Sequence, residues 1–327
     1  MIKLNHIDSI QDNWTKPFVE KLNFKIIENK YLLAPEDIWD GGIFYKLLSD
    51  NLSLAVIDYI AKKEIEFIKA SANSDFWYLI FDLSDGINNH ILNNSNYEVG
   101  NKSNYNFGFI DGTAERKVIP NIGTRTYSFR IVIRKSYFEE LIRPYDLGNF
   151  NTRIQENIEE YHHYYGYVDS TSKIILNKII NKKFGDANYE LIVQACAYKL
   201  LGVFLKNLVR YNSFTLKHAK ADLDAIINTK KHIIEHIWEP FMGVDFLASE
   251  AGMSQTKFKS HFKDFFGLSP AIFYKIEKLK LAKELLETKK YDNIKELSSD
   301  LNFGKSPSFA YLFKEYFGID PHDIVNY

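Results

Sequence analysis

A chain of 327 residues is long enough for about two domains. A hydrophobic content of 46% and a charged content of 25% are typical of a globular protein with a sizeable core. The net charge of −1 excludes a chain that is basic throughout, but nucleic-acid binding requires only a local basic patch. The single cysteine, Cys196, excludes an internal disulfide framework and indicates a reducing compartment.

The sequence gives no sign of a membrane or secretory segment. No apolar run approaches the roughly 18 residues of a membrane helix, and the first residues lack a basic start followed by an apolar stretch. We therefore expect a cytoplasmic protein that does not associate with membranes.

Residues from about 20 to 140 predict β-strands. Short apolar runs rich in aromatic and β-branched residues alternate with Gly, Asn and Asp. The clearest runs are residues 53–61, 75–84, 105–110 and 125–134. The polar stretch 88–106 is expected to be a loop or a ragged hairpin. Several short strands without long helices between them favour an antiparallel barrel or sandwich.

Beyond residue 135 the apolar period becomes that of helices. We predict helices over 135–142, 170–184 and 186–211. The last has one apolar stripe with the four-and-three spacing of a coiled coil: Leu191, Ala195, Tyr198, Gly202, Leu205 and Val209. A second stripe runs through Val193, Ala197, Leu200, Phe204 and Leu208. Either both faces pack inside one domain, or one face meets the same helix in a homodimer.

The polar stretch 212–222 is the predicted linker, so the domains are expected to span residues 1–211 and 223–327. In the second domain one short pattern occurs twice. "FKSHFKDFFGLSP" begins at Phe258, and "FAYLFKEYFGIDP" begins 51 residues later at Phe309. Each copy predicts a helix with an aromatic inner stripe, spaced four and three residues apart. The stripes are Phe258, Phe262 and Phe265 in the first copy, and Phe309, Phe313 and Tyr316 in the second.

Each repeated helix follows a second helix and a tight turn. Gly252 stands where a left-handed helix end is expected, and Ser254 is a suitable N-cap for the next helix. Asn302 takes the place of Gly252 in the second copy, and Ser306 precedes a proline as its expected N-cap. We therefore predict two helix-turn-helix units, 244–267 and 294–318. The helix 270–288 between them is long enough to place both units about one DNA turn apart.

This arrangement resembles the AraC/XylS family of transcription regulators over roughly residues 223–324. Three sets of residues carry the resemblance. The first unit has the alanine-glycine turn and the Phe-Lys before Gly-x-Ser-Pro, and the linker helix matches at Phe273, Lys275, Lys278, Leu279, Ala282, Leu285 and Leu286. The second unit matches at Ile294, Glu296, Leu297, Phe303, Phe309, Phe313, Lys314, Gly318 and Pro321. The chain differs from the family pattern at Asn302, at Tyr311 and at Ile324-Val325.

The predicted DNA-binding residues are those that lie between the apolar stripes. The resemblance implies base contacts by Thr256, Lys259 and Ser260, and Lys263 is placed for a phosphate. The full predicted set is Gln255, Thr256, Lys259, Ser260, Lys263, Lys275, Lys278, Lys305, Ser306, Tyr311 and Lys314. The partner that the resemblance implies is double-stranded promoter DNA.

Charge distinguishes the two copies. Residues 257–290 carry nine lysines and four acidic residues, a net charge of +5. Residues 291–327 carry three lysines and six acidic residues, a net charge of −3. Because affinity for phosphates depends on the cations placed against them, we expect the first unit and the linker helix to supply most of the DNA affinity.

For the first domain the resemblance implies a cupin-like, α+β sensing and dimerisation domain with a small-molecule effector. It also implies an activator that contacts RNA polymerase. We expect no metal, no cofactor and no catalysis, because the histidines are scattered and Cys196 lies in an apolar helix. The aromatic residues Phe76, Trp77, Tyr78, Phe81, Phe107 and Phe109 are expected in the core, with some of them lining an effector pocket. One alternative is control by a protein partner without an effector, and another is an alkyl-transfer enzyme that uses an exposed Cys196.

Overall fold

The protein divides into two compact units, Met1–Lys217 and His218–Tyr327. The computed structural model describes residues 1–7, 9–70, 74–92, 94–101, 103, 105–145, 163–211, 220–266 and 268–325. The predicted linker, 212–222, lies outside the described residues as far as residue 219, and residues 220–222 begin the first helix of the second unit. A two-domain chain with a sheet-rich first unit and a helical second unit is therefore confirmed.

The first unit is built on thirteen strands among the described residues. Their bounds are β1 Ile2–His6, β2 Lys25–Ile27, β3 Tyr31–Leu33, β4 Trp39–Ser49, β5 Leu52–Ala61, β6 Ile65–Lys69, β7 Phe76–Asp82, β8 Asn88–Leu92, β9 Ser95–Val99, β10 Phe107–Asp111, β11 Arg116–Ile119, β12 Arg125–Arg134 and β13 His163–Gly166. They form a five-stranded sheet in the order β1-β6-β11-β8-β9 and an eight-stranded sheet in the order β13-β10-β7-β12-β5-β4-β3-β2.

The prediction of an antiparallel barrel or sandwich is confirmed in part: the described residues form largely antiparallel sheets, but these sheets do not close into a barrel. The order of strands does not return to its start in either sheet, so the unit is an open pair of sheets. The pairs are antiparallel except for β1, which runs parallel to β6. The predicted strands at 53–61, 75–84, 105–110 and 125–134 are confirmed as β5, β7, β10 and β12. Within the stretch 88–106, β8 and β9 pair as an antiparallel hairpin, and Asn94 between them has a positive φ of 67°.

The eight-stranded sheet is buried on both faces because its strands carry two apolar sets. In β12 the odd-numbered residues from Tyr127 to Ile133 belong to a core shared with helices, whereas Val132 belongs to a core shared with the five-stranded sheet. All seven residues of β7 are buried for the same reason. The unit therefore has three layers, in the order helices, large sheet and small sheet.

The described residues of the first unit form four α-helices: α1 Lys16–Leu22, α2 Lys135–Ile142, α3 Ser170–Leu176 and α4 Tyr189–Tyr211. Helices α2, α3 and α4 cover one face of the large sheet, whereas Phe18 of α1 is buried in the core on the other face. The stripe of α4 from Val193 to Leu208 is buried in the core that α2, α3 and the sheet share. By length and composition alone, Tyr189–Leu208 could cross a membrane, contrary to the expectation from the sequence. One face of this helix is buried against the sheet.

The second unit contains seven helices among the described residues. They are α5 Lys220–Glu235, α6 Val244–Glu250, α7 Gln255–Phe266, α8 Pro270–Glu287, α9 Ile294–Asp300, α10 Ser306–Phe317 and α11 Pro321–Val325. Helices α6 and α7 occupy the first predicted helix-turn-helix unit, and α9 and α10 occupy the second. Helix α8 begins as predicted, with Pro270 in its first turn and the Ser269 side chain accepting a hydrogen bond from the amide of Ile272.

Helix α8 connects the two helix-turn-helix units in sequence and also packs against both of them. Near its start, the ring of Phe273 lies 5.6 Å from that of Phe262 on α7. Farther along, residues Leu279 to Leu286 share a buried cluster with α9 and α10. Eighteen residues of helix span about 27 Å. Helix α8 therefore separates the two helix-turn-helix units by most of the ~34 Å of one DNA turn.

Candidate nucleic-acid interface

The turn before α7 has the predicted geometry. Gly252 has a φ of 63°, in the left-handed region that glycine adopts without a Cβ penalty. Its amide donates to the carbonyl of Ser249, and the amide of Met253 donates to the carbonyl of Ala248, both at 2.9 Å. The Ser254 hydroxyl then accepts a hydrogen bond from the amide of Lys257 at 3.3 Å, which confirms the predicted N-cap.

Helix α7 buries one aromatic face. Phe258, Phe262 and Phe266 are buried, with successive ring centroids 5.6 and 4.4 Å apart. The predicted stripe had Phe265 as its third member, and that side chain lies outside the described residues. Spacing of four and then four residues shifts the stripe around the helix towards Phe273 of α8, whose ring lies 5.5 Å from that of Phe266.

The opposite face of α7 carries the predicted DNA-binding residues. All five are exposed: Gln255, Thr256, Lys259, Ser260 and Lys263. They lie on a single helix whose apolar face is fixed against the unit's core. The first recognition helix therefore presents two amines, two hydroxyls and an amide to solvent, which are groups that contact base edges and phosphates.

The second helix-turn-helix unit repeats this buried aromatic face, but the third buried ring lies one residue later than predicted. Phe309 and Phe313 are buried and Phe317 packs against the same cluster, with centroid distances of 5.6 and 4.7 Å. Tyr316, predicted on the inner stripe, is 42% exposed, so that prediction is wrong. The stripe drifts towards α8 here as well, where the amine of Lys283 lies 5.1 Å from the ring centroid of Phe317.

The second turn differs from the first in its chemistry. Asn302 has a φ of 53°, as predicted, and its side-chain amide donates to the backbone carbonyl of Trp238 at 2.8 Å. Helix α10 begins at Ser306 with Lys305 at the N-cap position, so the predicted cap by Ser306 is wrong. Lys305, Tyr311 and Lys314 are exposed, and Ser306 is half-buried.

Lys278, predicted to contact DNA, is instead buried. Its side chain is only 2% exposed, and its amine donates to the backbone carbonyl of Glu239 at 2.9 Å and to the hydroxyl of Tyr274. Burial lowers the pKa of the Lys278 amine to about 8. The prediction is wrong because Lys278 fastens α8 to the chain between α5 and α6. Lys275, one turn earlier, is exposed and remains in the predicted set.

The remaining lysines differ in whether they form an ion pair with a carboxylate. Lys257 pairs with Asp222 at 2.7 Å, and Lys314 lies 4.0 Å from Asp320. Over the described part of the second unit, no ion pair engages Lys259, Lys263 or Lys275. These three amines are therefore available for phosphates, whereas the Lys314 amine already has a carboxylate nearby.

A cavity of about 100 Å³ lies between the two sheets of the first unit. Apolar side chains from both sheets and from the N-terminal segment line much of it, among them Trp14, Phe18, Ile43, Ile57 and Phe67. Polar lining residues include Asp82, Asn88, His90, Arg116 and Arg130. The composition of apolar walls with a few converging polar groups is typical of small-molecule sites.

Predictions made for the first unit can be checked against this cavity. The six aromatic residues expected in the core are all buried, and of them Tyr78 also lines the cavity. His90 lies on strand β8, although the sequence suggested a loop, and His163 begins strand β13, whereas His162 lies outside the described residues. Sequence reasoning missed Arg116 and Arg130. For Arg130 a detectable signal was that it stands between Phe129 and Ile131 in an apolar strand, whereas Arg116 lies between Glu115 and Lys117 and gave no such signal.

Cys196 is buried and has a carbonyl neighbour. Its sulfur lies 3.7 Å from the backbone oxygen of Ile175, and burial raises the pKa of the thiol. A buried thiol that resists ionisation is a poor nucleophile. The placement of Cys196 in the core is confirmed, and it removes the basis for the alkyl-transfer alternative.

Comparison with known families identifies the second unit. Residues 247–326 match the family described as a helix-turn-helix domain. These residues form an AraC-type helix-turn-helix domain. The match begins inside α6 and continues to the end of α11, so it contains both recognition helices, α7 and α10. The resemblance drawn from the sequence is therefore confirmed for this AraC-type domain.

Solved structures resemble the chain more weakly. ToxT from Vibrio cholerae is 15% identical over 85% of this chain and 98% of its own, with a TM-score of 0.33. The DNA-binding domain of AdpA, in complex with a target DNA, is 24% identical over 31% of this chain and 90% of its own, with a TM-score of 0.29. An AraC-type regulator from Chromobacterium violaceum is 21% identical over 33% and 95%, with a TM-score of 0.30. TM-scores this low support no inference, and no curated protein matches the chain.

Proposed function

We propose that the protein is a cytoplasmic, sequence-specific transcription regulator that responds to a small-molecule effector. The observation that carries the proposal is the exposed polar face of α7 within the AraC-type domain. Its amines and hydroxyls stand on a helix whose other face is locked into the core. A rigid helix with such a face is suited to the major groove of promoter DNA.

Roles for individual residues follow from their chemistry. On α7 we assign base contacts to Thr256, Lys259 and Ser260, because amines and hydroxyls reach the donors and acceptors of base edges. To Gln255, Lys263 and, on the linker helix, Lys275 we assign contacts with the phosphates of the DNA backbone.

On the second recognition helix we assign contacts to Lys305, Ser306, Tyr311 and Lys314. Tyr311 is 69% exposed, so its hydroxyl is free to reach a phosphate. The amine of Lys314 has Asp320 beside it, which weakens its attraction to a phosphate. These contacts position α10 while contributing less affinity than those of α7.

The cavity in the first unit supports control by an effector over control by a protein partner. It lies between two sheets and combines apolar walls with charged groups. A ligand that fills it would stabilise the unit by mass action. Activation through contact with RNA polymerase is carried over from the family resemblance.

Helix α4 supports a homodimer. The stripe of α4 that packs on the sheet leaves the other predicted stripe outside, where Leu191 is 67% and Tyr198 is 52% exposed. Gly202 lies on that stripe with open space around its Cβ position. A second copy of α4 could cover these residues with coiled-coil spacing. Sedimentation of Leu191→Glu should show monomers, whereas the exposed-face control Lys199→Glu should stay dimeric. A monomeric wild type would reject the dimer.

DNA selection tests the central function. The purified full-length protein is incubated with a pool of random duplexes, and bound sequences are recovered over several rounds. We expect one enriched motif with two half-sites about one turn apart. Lys259→Ala should relax preference at one position of that motif, and the control Lys289→Ala should leave the motif unchanged. Failure to enrich any motif would reject the proposed function.

A further inference from the structure

The cavity between the two sheets of the first unit is lined by a buried histidine with an unsatisfied ring nitrogen. His90, on β8 of the five-stranded sheet, is 1% exposed. Its Nδ1 atom lies 2.8 Å from the hydroxyl of Tyr165, which is not among the lining residues. Its Nε2 atom, on the other side of the ring, is buried and has no hydrogen-bond partner among the residues that the structure describes. Because a buried polar atom without a partner is costly, Nε2 marks a position for a group from outside the chain.

A second polar group with spare hydrogen-bonding capacity comes from the opposite sheet. Asp82, on β7 of the eight-stranded sheet, also lines the cavity and is 1% exposed. Its Oδ1 atom accepts a hydrogen bond from the amide of Ser84 at 3.0 Å. Its Oδ2 atom has a long contact of 3.5 Å with the side-chain amide of Asn88, which stands two residues before His90 on β8. A carboxylate offers about four acceptor positions, so Asp82 can take a further donor.

The charges of the wall favour an uncharged ligand. Arg116 and Arg130 line the same cavity, but both already interact with other groups of the protein, and the guanidinium of Arg116 lies 4.7 Å from the centroid of the Tyr78 ring. Burial is the main reason why the pKa of His90 lies well below its usual value, so the ring is neutral at pH 7. A neutral ring nitrogen and a carboxylate oxygen do not call for an anion. A cationic ligand would stand near two guanidinium groups, which repel it.

A hydroxyl is the smallest uncharged group that suits these positions. It carries one donor and two acceptor lone pairs. The two neutral tautomers of His90 differ in whether Nε2 donates or accepts, and a hydroxyl can bond to Nε2 in either tautomer. Asp82 adds an acceptor to the same cavity, which favours a ligand group that can donate over a ketone or an ether. The polar part of the wall therefore selects for a hydroxyl.

The apolar part of the wall determines the body of the ligand. Trp14, Phe18 and Phe67 line the cavity, with ring centroids 5.7 Å apart for Trp14 and Phe18 and 5.8 Å apart for Phe18 and Phe67. An apolar cavity of roughly 150 Å³ holds one benzene ring, and this one measures about 100 Å³. The body is therefore no larger than one ring. We propose that the effector is a small uncharged alcohol or phenol whose hydroxyl bonds to Nε2 of His90. This inference rests on the proposed effector-responsive function.

The test compares hydroxyl compounds with counterparts in which a methyl group replaces the hydroxyl, on the full-length protein. Phenol, benzyl alcohol and cyclopentanol are titrated by calorimetry beside toluene, ethylbenzene and methylcyclopentane, with benzoate as a charged comparison. We expect at least one hydroxyl compound to bind at least tenfold more tightly than its methyl counterpart and than benzoate. Methyl counterparts or benzoate that bind as well would overturn the inference. A panel in which no hydroxyl compound binds would also overturn it, because water alone would then satisfy Nε2.

Variants then test the bond to His90. His90→Phe keeps an aromatic ring but removes both nitrogens, so the preference for the best hydroxyl compound over its methyl counterpart should fall from at least tenfold to about twofold or less. The control His163→Phe removes an imidazole that also contacts a tyrosine hydroxyl, that of Tyr97 at 2.7 Å, but lies outside the cavity lining. It should keep the preference. A preference that survives in His90→Phe, or that disappears in His163→Phe as well, would overturn the inference.

Nuclear magnetic resonance of the wild type tests the same bond without a variant. The Nε2 resonance of His90 should shift with the best hydroxyl compound and stay in place with its methyl counterpart, and an unchanged resonance would overturn the inference. Binding of the selected DNA motif is measured on the same preparations. Failure of the hydroxyl compounds with intact DNA binding rejects the ligand class alone, and loss of DNA binding by the wild type rejects the function.

Discussion

The first and second helix-turn-helix units are built on the same buried spacing but present different surfaces. Phe258, Phe262 and Phe266 recur as Phe309, Phe313 and Phe317, with nearly equal ring distances. The outward residues of α7 are polar and basic, whereas α10 exposes Tyr311 and half-buries Ala310. The comparison teaches that the repeated core residues determine the fold of each copy. The surface residues that differ between the copies determine what each copy can bind.

The largest expected effect concerns the shared core. Phe262→Ala and Phe313→Ala should each lower the free energy of unfolding by about 3–5 kcal/mol, because each removes a fully buried ring and leaves a cavity. Chemical denaturation followed by circular dichroism measures the change. The control Tyr311→Ala removes an exposed ring and should cost less than about 0.5 kcal/mol. If only one of the two Phe variants were destabilised, the two cores would not be equivalent.

The next effect concerns the two left-handed turns. Gly252→Ala should lower the free energy of unfolding by about 1–2 kcal/mol, because a Cβ is strained at a φ of 63° even in open space. Asn302→Ala keeps the Cβ at a φ of 53° and should cost about 1 kcal/mol, because it removes the side-chain hydrogen bond to Trp238. Ser299→Ala, exposed on α9, is the control and should stay within about 0.5 kcal/mol. An Asn302→Ala variant as stable as the wild type would show that this hydrogen bond contributes nothing.

A third expected effect is a pH dependence from Lys278. Burial lowers the pKa of its amine from 10.5 to about 8, so the unfolded chain binds this proton more tightly than the folded chain. The cost of the buried charge is therefore fully present below about pH 8. It is relieved as the pH rises towards 10.5, with a slope of at most about 1.4 kcal/mol per pH unit.

The difference in free energy of unfolding between wild type and Lys278→Met isolates that slope. Between pH 8 and pH 10 the wild type should gain stability relative to Lys278→Met, measured by urea denaturation. Lys275→Met, exposed on the same helix, should run parallel to the wild type. Parallel curves for wild type and Lys278→Met would mean that the amine is not buried in solution.

The sequence predicted the parts of the fold that local chemistry determines. The turn at Gly252, the cap at Ser254 and the bounds of β12 depend on residues within a few positions of one another. The predicted third members of the aromatic stripes depended on an ideal helical period. The structure shows instead that the stripe drifts towards α8, which is a tertiary effect.

Features that depend on distant contacts were missed. Lys278 has the spacing of a surface residue, and its burial depends on the carbonyl of Glu239, 39 residues away. The cavity joins Arg116 and Arg130 from different sheets, and no short sequence window contains that juxtaposition. The open pair of sheets likewise reflects strand order, which alternating apolar residues do not specify.

The central claim is that the first helix-turn-helix unit, which contains α7, supplies most of the DNA affinity. Lys263→Ala on α7 and Lys314→Ala on α10 remove the same group from equivalent helices, and Lys314 already lies 4.0 Å from Asp320. Their dissociation constants for the selected motif are measured by fluorescence anisotropy across a salt series. We predict about a five- to tenfold loss and a salt slope reduced by about one for Lys263→Ala, and less than about a twofold loss for Lys314→Ala. A larger loss for Lys314→Ala would contradict the account.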